Sequence, residues 1–342
     1  MGTGKDVSLR FQVALVTGGG GFVGKAVVKQ LLDRGVEVRV IGRNRYPDLE
    51  KLGVTCFTGD LADFNGLCRA CKGVEVVFHV AALAGIWGPW DDYYRTNVLG
   101  TENVVNACKA NGVKALVYTS TPSVVFDRKN IVAGDESLAY ASNFLCSYAK
   151  SKVIAEKNVL ENLSTPSCAL RPHLIWGPSD PHLLPRLLAA GRKKQLKMVG
   201  DGDNLVDISY IDNVAHAHLL AAQNLTQEQT AAGQAYFISQ GEPVNLWDWI
   251  NELFELMGVE RITKRISYKT AYKIGASLEF IYKVTGKNGE PKMSRFLAEQ
   301  LAKSHYFSCE KARRDFGYTP IISTREGLEK TVHWLKNHDY QH

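Results

Sequence analysis

The chain has 342 residues, with 41 Lys or Arg against 35 Asp or Glu for a formal charge of +6, 45% hydrophobic and 22% charged residues. This length exceeds one average domain and the apolar share fills a complete core, which excludes a disordered or fibrous chain. Basic residues are scattered apart from short groups at Arg192 to Lys194 and Lys311 to Arg314, so no stripe suited to nucleic acid is present.

Phe11 to Val16 is an apolar run with β-branched residues, stopped by four glycines and followed from Phe22 to Leu32 by apolar residues at helical spacing. This predicts strand, glycine turn, helix. The alternation continues with strands at Val36 to Ile41, Val54 to Phe57, Val74 to Val80 and Ala115 to Thr119, and helices near Phe64 to Cys71 and Asn97 to Ala110. Strands alternating with helices predict an α/β fold with a doubly wound parallel sheet of Rossmann type. A further strand at Cys168 to Leu170 precedes Pro172, Pro178, Pro181 and Pro185, where the pattern breaks. It resumes with Val206 to Ala222 and a strand at Ala235 to Ser239, before a largely helical end from Leu246 to Lys336. The expected division is a dinucleotide-binding domain at 1–172 and 203–240, and a smaller, mostly helical substrate lobe at 173–202 and 241–342.

Seven cysteines, an odd number without the spacing of a disulfide scaffold, predict a reducing, cytoplasmic setting. Cys68 and Cys71 form one CxxC in a helix-like stretch with no second ligand pair, so helix packing is expected there and no metal site. His216 and His218 lie two apart on a helix and face different ways, which also argues against a metal pair. Met1 to Arg10 has no apolar signal-peptide stretch and no run of about eighteen apolar residues occurs, so neither secretion nor a membrane span is expected.

Gly18, Gly21 and Gly24 stand at GxxGxxG spacing within Thr17-Gly18-Gly19-Gly20-Gly21-Phe22-Val23-Gly24. Positions without side chains let the backbone approach a pyrophosphate, and the first amides of the helix point positive potential at it. The end of the second strand reads Gly42-Arg43-Asn44-Arg45, with guanidinium groups where a carboxylate would hold an NAD ribose. This favours NADP(H), with Arg43 and Arg45 on the 2′-phosphate, over a solvated loop. Asp60 ends the third strand and reads equally as a holder of the adenine amino group or as an N-cap of the next helix.

Tyr148 and Lys152 are four apart in Tyr148-Ala149-Lys150-Ser151-Lys152 and share one face of a predicted helix. An ammonium beside a phenol lowers its pKa toward working pH and makes it a proton donor to a carbonyl, while Lys152 also holds the nicotinamide ribose. Upstream, Thr119-Ser120-Thr121-Pro122-Ser123 offers hydroxyls for a substrate oxygen, Thr121 before Ser120, or else an ordinary turn. Asn97 reads from its position as a helix N-cap.

TGGGGFVG at Thr17, GDL at Gly59, HVAA at His79, Asn97, TSTPS at Thr119, YAKSK at Tyr148 and RPHLIWGP at Arg171 together resemble the extended short-chain dehydrogenase/reductase superfamily. Within it the chain resembles the 3β-hydroxysteroid dehydrogenase-type branch from Phe11 to His333. YIDN at Tyr210, YFISQGEP at Tyr236, SYKTAYKIGA at Ser267, RFLAEQL at Arg295 and KARRDFGY at Lys311 are similar to the 2-alkyl-3-oxoalkanoate reductases of bacterial long-chain olefin biosynthesis. The resemblance implies NADPH-dependent reduction of a β-keto acid, with Tyr148 as acid/base, Lys152 as its partner, Thr121 at the usual Ser position and Asn97 as a helix-kinking relay residue. It also implies cofactor contacts at Gly18, Gly20, Gly21, Phe22, Val23, Gly24, Asp60, Leu61, Ala81 and Ala82, a homodimer, and other olefin-pathway enzymes as partners. The rival readings are a 3β-hydroxysteroid or sterol dehydrogenase, a nucleotide-sugar epimerase or dehydratase, and a cofactor sensor without catalysis. Leu183, Leu184, Leu187, Leu188, Tyr272, Ile274, Leu278, Phe280, Ile281 and Tyr282 supply core or pocket wall for a hydrophobic substrate, with Trp87, Trp90, Tyr93 and Tyr94 as a candidate lid.

Overall fold

The computed structural model describes residues 9–161, 164–287 and 289–338. Seven strands form its central sheet: β1 (Val13–Thr17), β2 (Glu37–Gly42), β3 (Thr55–Thr58), β4 (Val76–His79), β5 (Ala115–Thr119), β6 (Ser167–Pro172) and β7 (Gln234–Ile238). They are all parallel, in the order β7-β6-β5-β4-β1-β2-β3. Thr17 pairs in register with Ile41 on one side and His79 on the other, so the chain leaves β1 at the point where strand order reverses. Ligands bind in the crevice above such a point.

The longer helices in chain order are α1 (Phe22–Leu32), α2 (Phe64–Cys71), α3 (Gly100–Asn111), α4 (Ser147–Leu160), α5 (Leu183–Arg192), α6 (Ile211–Thr226), α7 (Leu246–Leu256), α8 (Tyr268–Thr285), α9 (Arg295–Ala302), α10 (Glu310–Phe316) and α11 (Thr324–Asn337). Strand period two sends alternate side chains to opposite faces. Ala14 and Val16 pack with Val27, Val28 and Leu31 of α1 and Ala215 and Leu219 of α6, whereas Leu15 packs with Leu67, Val104 and Val159 of α2, α3 and α4. The expected doubly wound sheet is therefore present, with helices on both faces.

A second apolar core gathers Trp176, Leu184, Leu188, Val206, Tyr210, Trp247, Trp249, Leu253, Phe254 and Leu328. Two segments cross the expected division: Cys309, Ala312 and Tyr318 pack with the first core, and a strand at Ile131–Gly134 pairs with one at His305–Phe307 in a small four-stranded sheet. The first was assigned no element from the sequence and the second lay inside the end expected to be largely helical, because pieces of three or four residues are set by distant partners and leave little period to read. Of the residues expected to form core or pocket wall, Leu184 and Leu188 are core, but Ile274, Phe280 and Ile281 stand exposed on the outside of α8. No helix among the described residues is long and apolar enough to cross a membrane.

Candidate active site

The glycine turn is fixed by contact on every side but one. Gly18 has a φ of +68°, and a Cβ there would sit 2.8 Å from the Ala81 Cα; a Cβ on Gly24 would sit 2.2 Å from the Gly18 carbonyl. α1 opens at Gly21 without a side-chain cap, which leaves its first amides directed at the crevice. A pyrophosphate suits this cradle: the first amides of α1 are left without side-chain caps, and Gly21 at its opening is exposed and carries no side chain. Gly20, Phe22 and Val23 are half-buried at its edge, and Gly21 is exposed.

Arg43 and Arg45 are both exposed beyond the end of β2. Between them and the turn lies Tyr46, whose ring would meet a Cβ on Gly20 at 2.0 Å. Sequence reasoning missed this tyrosine, since a lone aromatic after a basic loop carries no spacing signal. Asp60 does not cap the next helix, because Asp63 does so through the Gly66 amide at 2.9 Å; Asp60 instead accepts from the Ala62 amide at 2.8 Å. Leu61 is buried and lies against Gly100, while the Ala81 amide donates to the Thr17 hydroxyl at 3.2 Å and Ala82 is exposed.

Tyr148 and Lys152 converge on the exit of β5. The Lys152 ammonium donates to the Thr119 carbonyl at 2.7 Å and lies 4.1 Å above the Tyr118 ring, whereas the Tyr148 phenol is hydrogen-bonded to the Thr121 hydroxyl. Thr121 also caps the short turn Pro122–Val124 through the Ser123 amide. Ser120, the alternative hydroxyl, is held elsewhere: it donates to the Glu156 carboxylate. The expected electrostatics are reversed in the protein alone. Burial pushes Tyr148 up to about 12 and outweighs the opposing Thr121 bond, and burial lowers Lys152 to about 7 against the pull of Glu156.

The Lys152 displacement fixes a pH dependence. Its folded pKa lies below the ordinary 10.5, so between about 7 and 10.5 the unfolded chain keeps a proton that the folded chain gives up. Stability therefore rises with pH across that window, and the cost of burying the amine, roughly 5 kcal/mol at most, is complete below about 7. Lys152→Met, which forfeits about 1–3 kcal/mol at the orphaned Thr119 carbonyl, is expected to gain stability relative to the parent at pH 6 and lose that gain by pH 10. Urea midpoints at the two pH values measure it, and a pH-independent difference contradicts the burial account.

Asn97 is not an N-cap. It sits inside a π-helical segment, Tyr94–Leu99, that runs into α3. Its side chain accepts from the Leu83 amide at 2.7 Å and donates to the Leu83 carbonyl at 3.0 Å and the Ser151 hydroxyl at 2.9 Å. Beside it, His79 bridges Thr17 at 2.7 Å and Thr101 at 2.9 Å, and Thr101 donates to the Asn97 carbonyl at 2.6 Å. Burial drives the imidazole down to about 3, so His79 is a neutral strut between the glycine turn and the π segment.

A cavity of about 760 Å³ opens next to Leu83, the residue that Asn97 grips, and is lined by aromatic Trp87, Trp90, Tyr93 and Tyr282 together with Lys283, Lys287, Asp92 and Glu290. Three of the four aromatic residues expected as a lid therefore face it; Tyr94 packs instead against Trp90 at 5.7 Å. Glu290 ties this roof down by accepting from the Ile86 amide at 3.0 Å while pairing with Arg186 of α5 at 2.7 Å. Among the described residues no group of His, Cys, Asp or Glu is arranged for a metal, and Cys71 hydrogen-bonds to Cys108, in keeping with the packing role expected for the CxxC.

A profile of the 3-beta hydroxysteroid dehydrogenase/isomerase family matches residues 15–269. The chain belongs to that family. It is an oxidoreductase of the CH–OH/C=O type, as its relatives are. It is 48% identical over 320 residues to the 2-alkyl-3-oxoalkanoate reductase of Stenotrophomonas maltophilia, covering 92% of this chain and 97% of that protein. It is 36% identical over 326 residues to the sterol-4-alpha-carboxylate 3-dehydrogenase, decarboxylating, of Mus musculus, covering 93% and 89%. Among solved structures, gox2253 superposes with a TM-score of 0.77 at 28% identity over 96% of this chain and 99% of that one.

Proposed function

We propose that the chain reduces the ketone of a 2-alkyl-3-oxoalkanoate to the 3-hydroxy acid with NADPH. The observation that carries this reading is the convergence of Tyr148, Thr121 and Lys152 on the β5 exit, with Tyr93 of the aromatic cavity near Tyr148 and with Lys283 and Lys287 on the cavity wall alongside Asp92 and the Arg186-paired Glu290. The names of the two relatives share a chemistry: a carboxylate on the carbon adjacent to the one that bears the reacting oxygen. Lys283 and Lys287 suit that carboxylate, and the tryptophans and tyrosines suit the alkyl chains.

When bound, the dinucleotide supplies the hydride. The glycine turn and the α1 amides hold its pyrophosphate, Arg43 and Arg45 its 2′-phosphate, Asp60 its adenine amino group, and Lys152 its nicotinamide ribose, with Leu61, Ala81 and Ala82 as walls. Thr121 donates to the ketone oxygen and Tyr148 passes its hydroxyl proton to that oxygen as charge develops there. Asn97 holds the relay end of α4 in place through Ser151. Leu99 and Ile154, both partly exposed, suit a homodimer packed through the α3 and α4 side of the molecule, and partners of the olefin pathway follow from the substrate proposed.

The test follows NADPH absorbance with a panel holding an alkyl β-keto acid, a 3-ketosteroid and a nucleotide sugar. Turnover confined to the steroid or the sugar overturns the substrate assignment. Arg43→Glu is expected to raise KM for NADPH by about tenfold or more with little change for NADH, since a charge-assisted bond to the 2′-phosphate becomes a repulsion. Equal losses with both cofactors contradict a 2′-phosphate role.

A further inference from the structure

Twelve large hydrophobic side chains stand exposed among the described residues, and four of them lie on α8: Ile274 (42%), Phe280 (69%), Ile281 (48%) and Val284 (68%). Their spacing places them on one side of the helix, opposite Ala271, Gly275 and Glu279, which are buried. Gly275 packs so closely on Ser294 that a Cβ would meet its backbone at 2.5 Å, so the orientation of the helix is fixed. A cluster of this kind on an otherwise satisfied helix marks an interaction surface.

Charge narrows the partner. Glu279, the one acidic residue of α8, is turned inward and engaged by the Arg295 side chain at 2.6 Å. Lys273 and Lys283 are exposed on the helix and Lys287 just beyond it, all around the apolar cluster. An outward face that combines aromatic and aliphatic groups with lysines and has no exposed carboxylate of its own complements an anionic lipid surface. The same helix end lines the cavity through Tyr282, Lys283 and Lys287, so the apolar cluster borders the cavity mouth.

We propose that the outer face of α8 seats on an anionic membrane surface, with Phe280, Ile281 and Val284 at the acyl boundary and Lys273, which does not line the cavity, over the headgroups. The cavity then opens where long-chain substrates partition. That delivery role rests on the reductase reading; the membrane binding does not.

Flotation of the full-length protein with vesicles of phosphatidylglycerol and phosphatidylcholine, against vesicles of phosphatidylcholine alone, tests the proposal without substrate. The parent is expected to float with the anionic vesicles only and to be released by high salt. Lys273→Ala is expected to weaken partitioning about fivefold. Phe280→Asp with Val284→Asp is expected to abolish it while keeping native circular dichroism and full turnover of a short, soluble β-keto acid; Phe280→Ser serves if the double variant misfolds. Parent protein that stays unbound, or a Phe280 variant that floats like the parent, overturns the proposal. So does a concentration-dependent dimer, lost in the double variant and formed without vesicle binding, because the face then belongs to a second copy. Absence of turnover with every soluble keto acid counts against the reductase reading alone.

Discussion

Replacing Tyr148 by Phe is expected to lower turnover by about 10²- to 10⁴-fold while changing dinucleotide affinity by no more than about twofold. The phenol is held up at about 12, so at neutral pH it is fully protonated and stands ready as a donor; Phe keeps the ring and removes only that proton. Lys152 is lowered to about 7 and so is partly charged at neutral pH, able to stabilise the phenolate as the proton leaves. Single-turnover rates with NADPH, together with the cofactor Kd from fluorescence titration, measure the two quantities separately. Unchanged turnover rules out the proposed proton donor, and a large loss of affinity makes Tyr148 a binding group.

Glu156→Ala is expected to destabilise the fold by about 3–5 kcal/mol, because it strands a buried guanidinium. Glu156 is fully buried on α4 and pairs with Arg171 of β6 through two guanidinium nitrogens, at 2.5 Å and 3.1 Å; it also accepts from Tyr140 at 2.8 Å and from Ser120. Four segments thus meet on one carboxylate directly behind the residue that bonds Tyr148. Replacing both charges, Glu156→Leu with Arg171→Met, is expected to recover most of the lost stability, since an apolar pair of similar volume avoids the desolvation cost. Denaturant midpoints of the two variants decide it: if the double variant is no more stable than the single one, an unpaired charge is not what costs stability.

The sheet was legible because its strands alternate with helices over stretches long enough to display a period, and the glycine turn because its spacing falls between a strand and a helix that declare themselves independently. The convergence at the β5 exit was legible for the same reason, since Tyr148 and Lys152 share one helix and the hydroxyls follow one strand. Long-range partners were not. Nothing near Glu156 in sequence announces Arg171, although a guanidinium within the apolar run Cys168-Ala169-Leu170-Arg171 is itself a sign that a buried counter-charge exists. His79, Tyr46 and Glu290 were missed likewise, each being defined by segments far away in the chain. The outer face of α8 was misassigned because apolar residues at helical spacing show that a helix has such a side, not which neighbour covers it. From its position alone Asn97 read as an N-cap, since a π segment has no pattern that separates it from an α-helix.

The grip of Asn97 on both Leu83 and Ser151 couples the loop that leads into the cavity wall to the helix that carries Tyr148. A segment swapped in from a relative to widen the specificity of residues 83–90 arrives attached, through this amide, to the helix that carries the reactive phenol. Engineering of the pocket therefore has a natural unit, residues 80–100 taken as one block, and chimeras that cut inside it are expected to misalign the chemistry even when every residue touching substrate is retained.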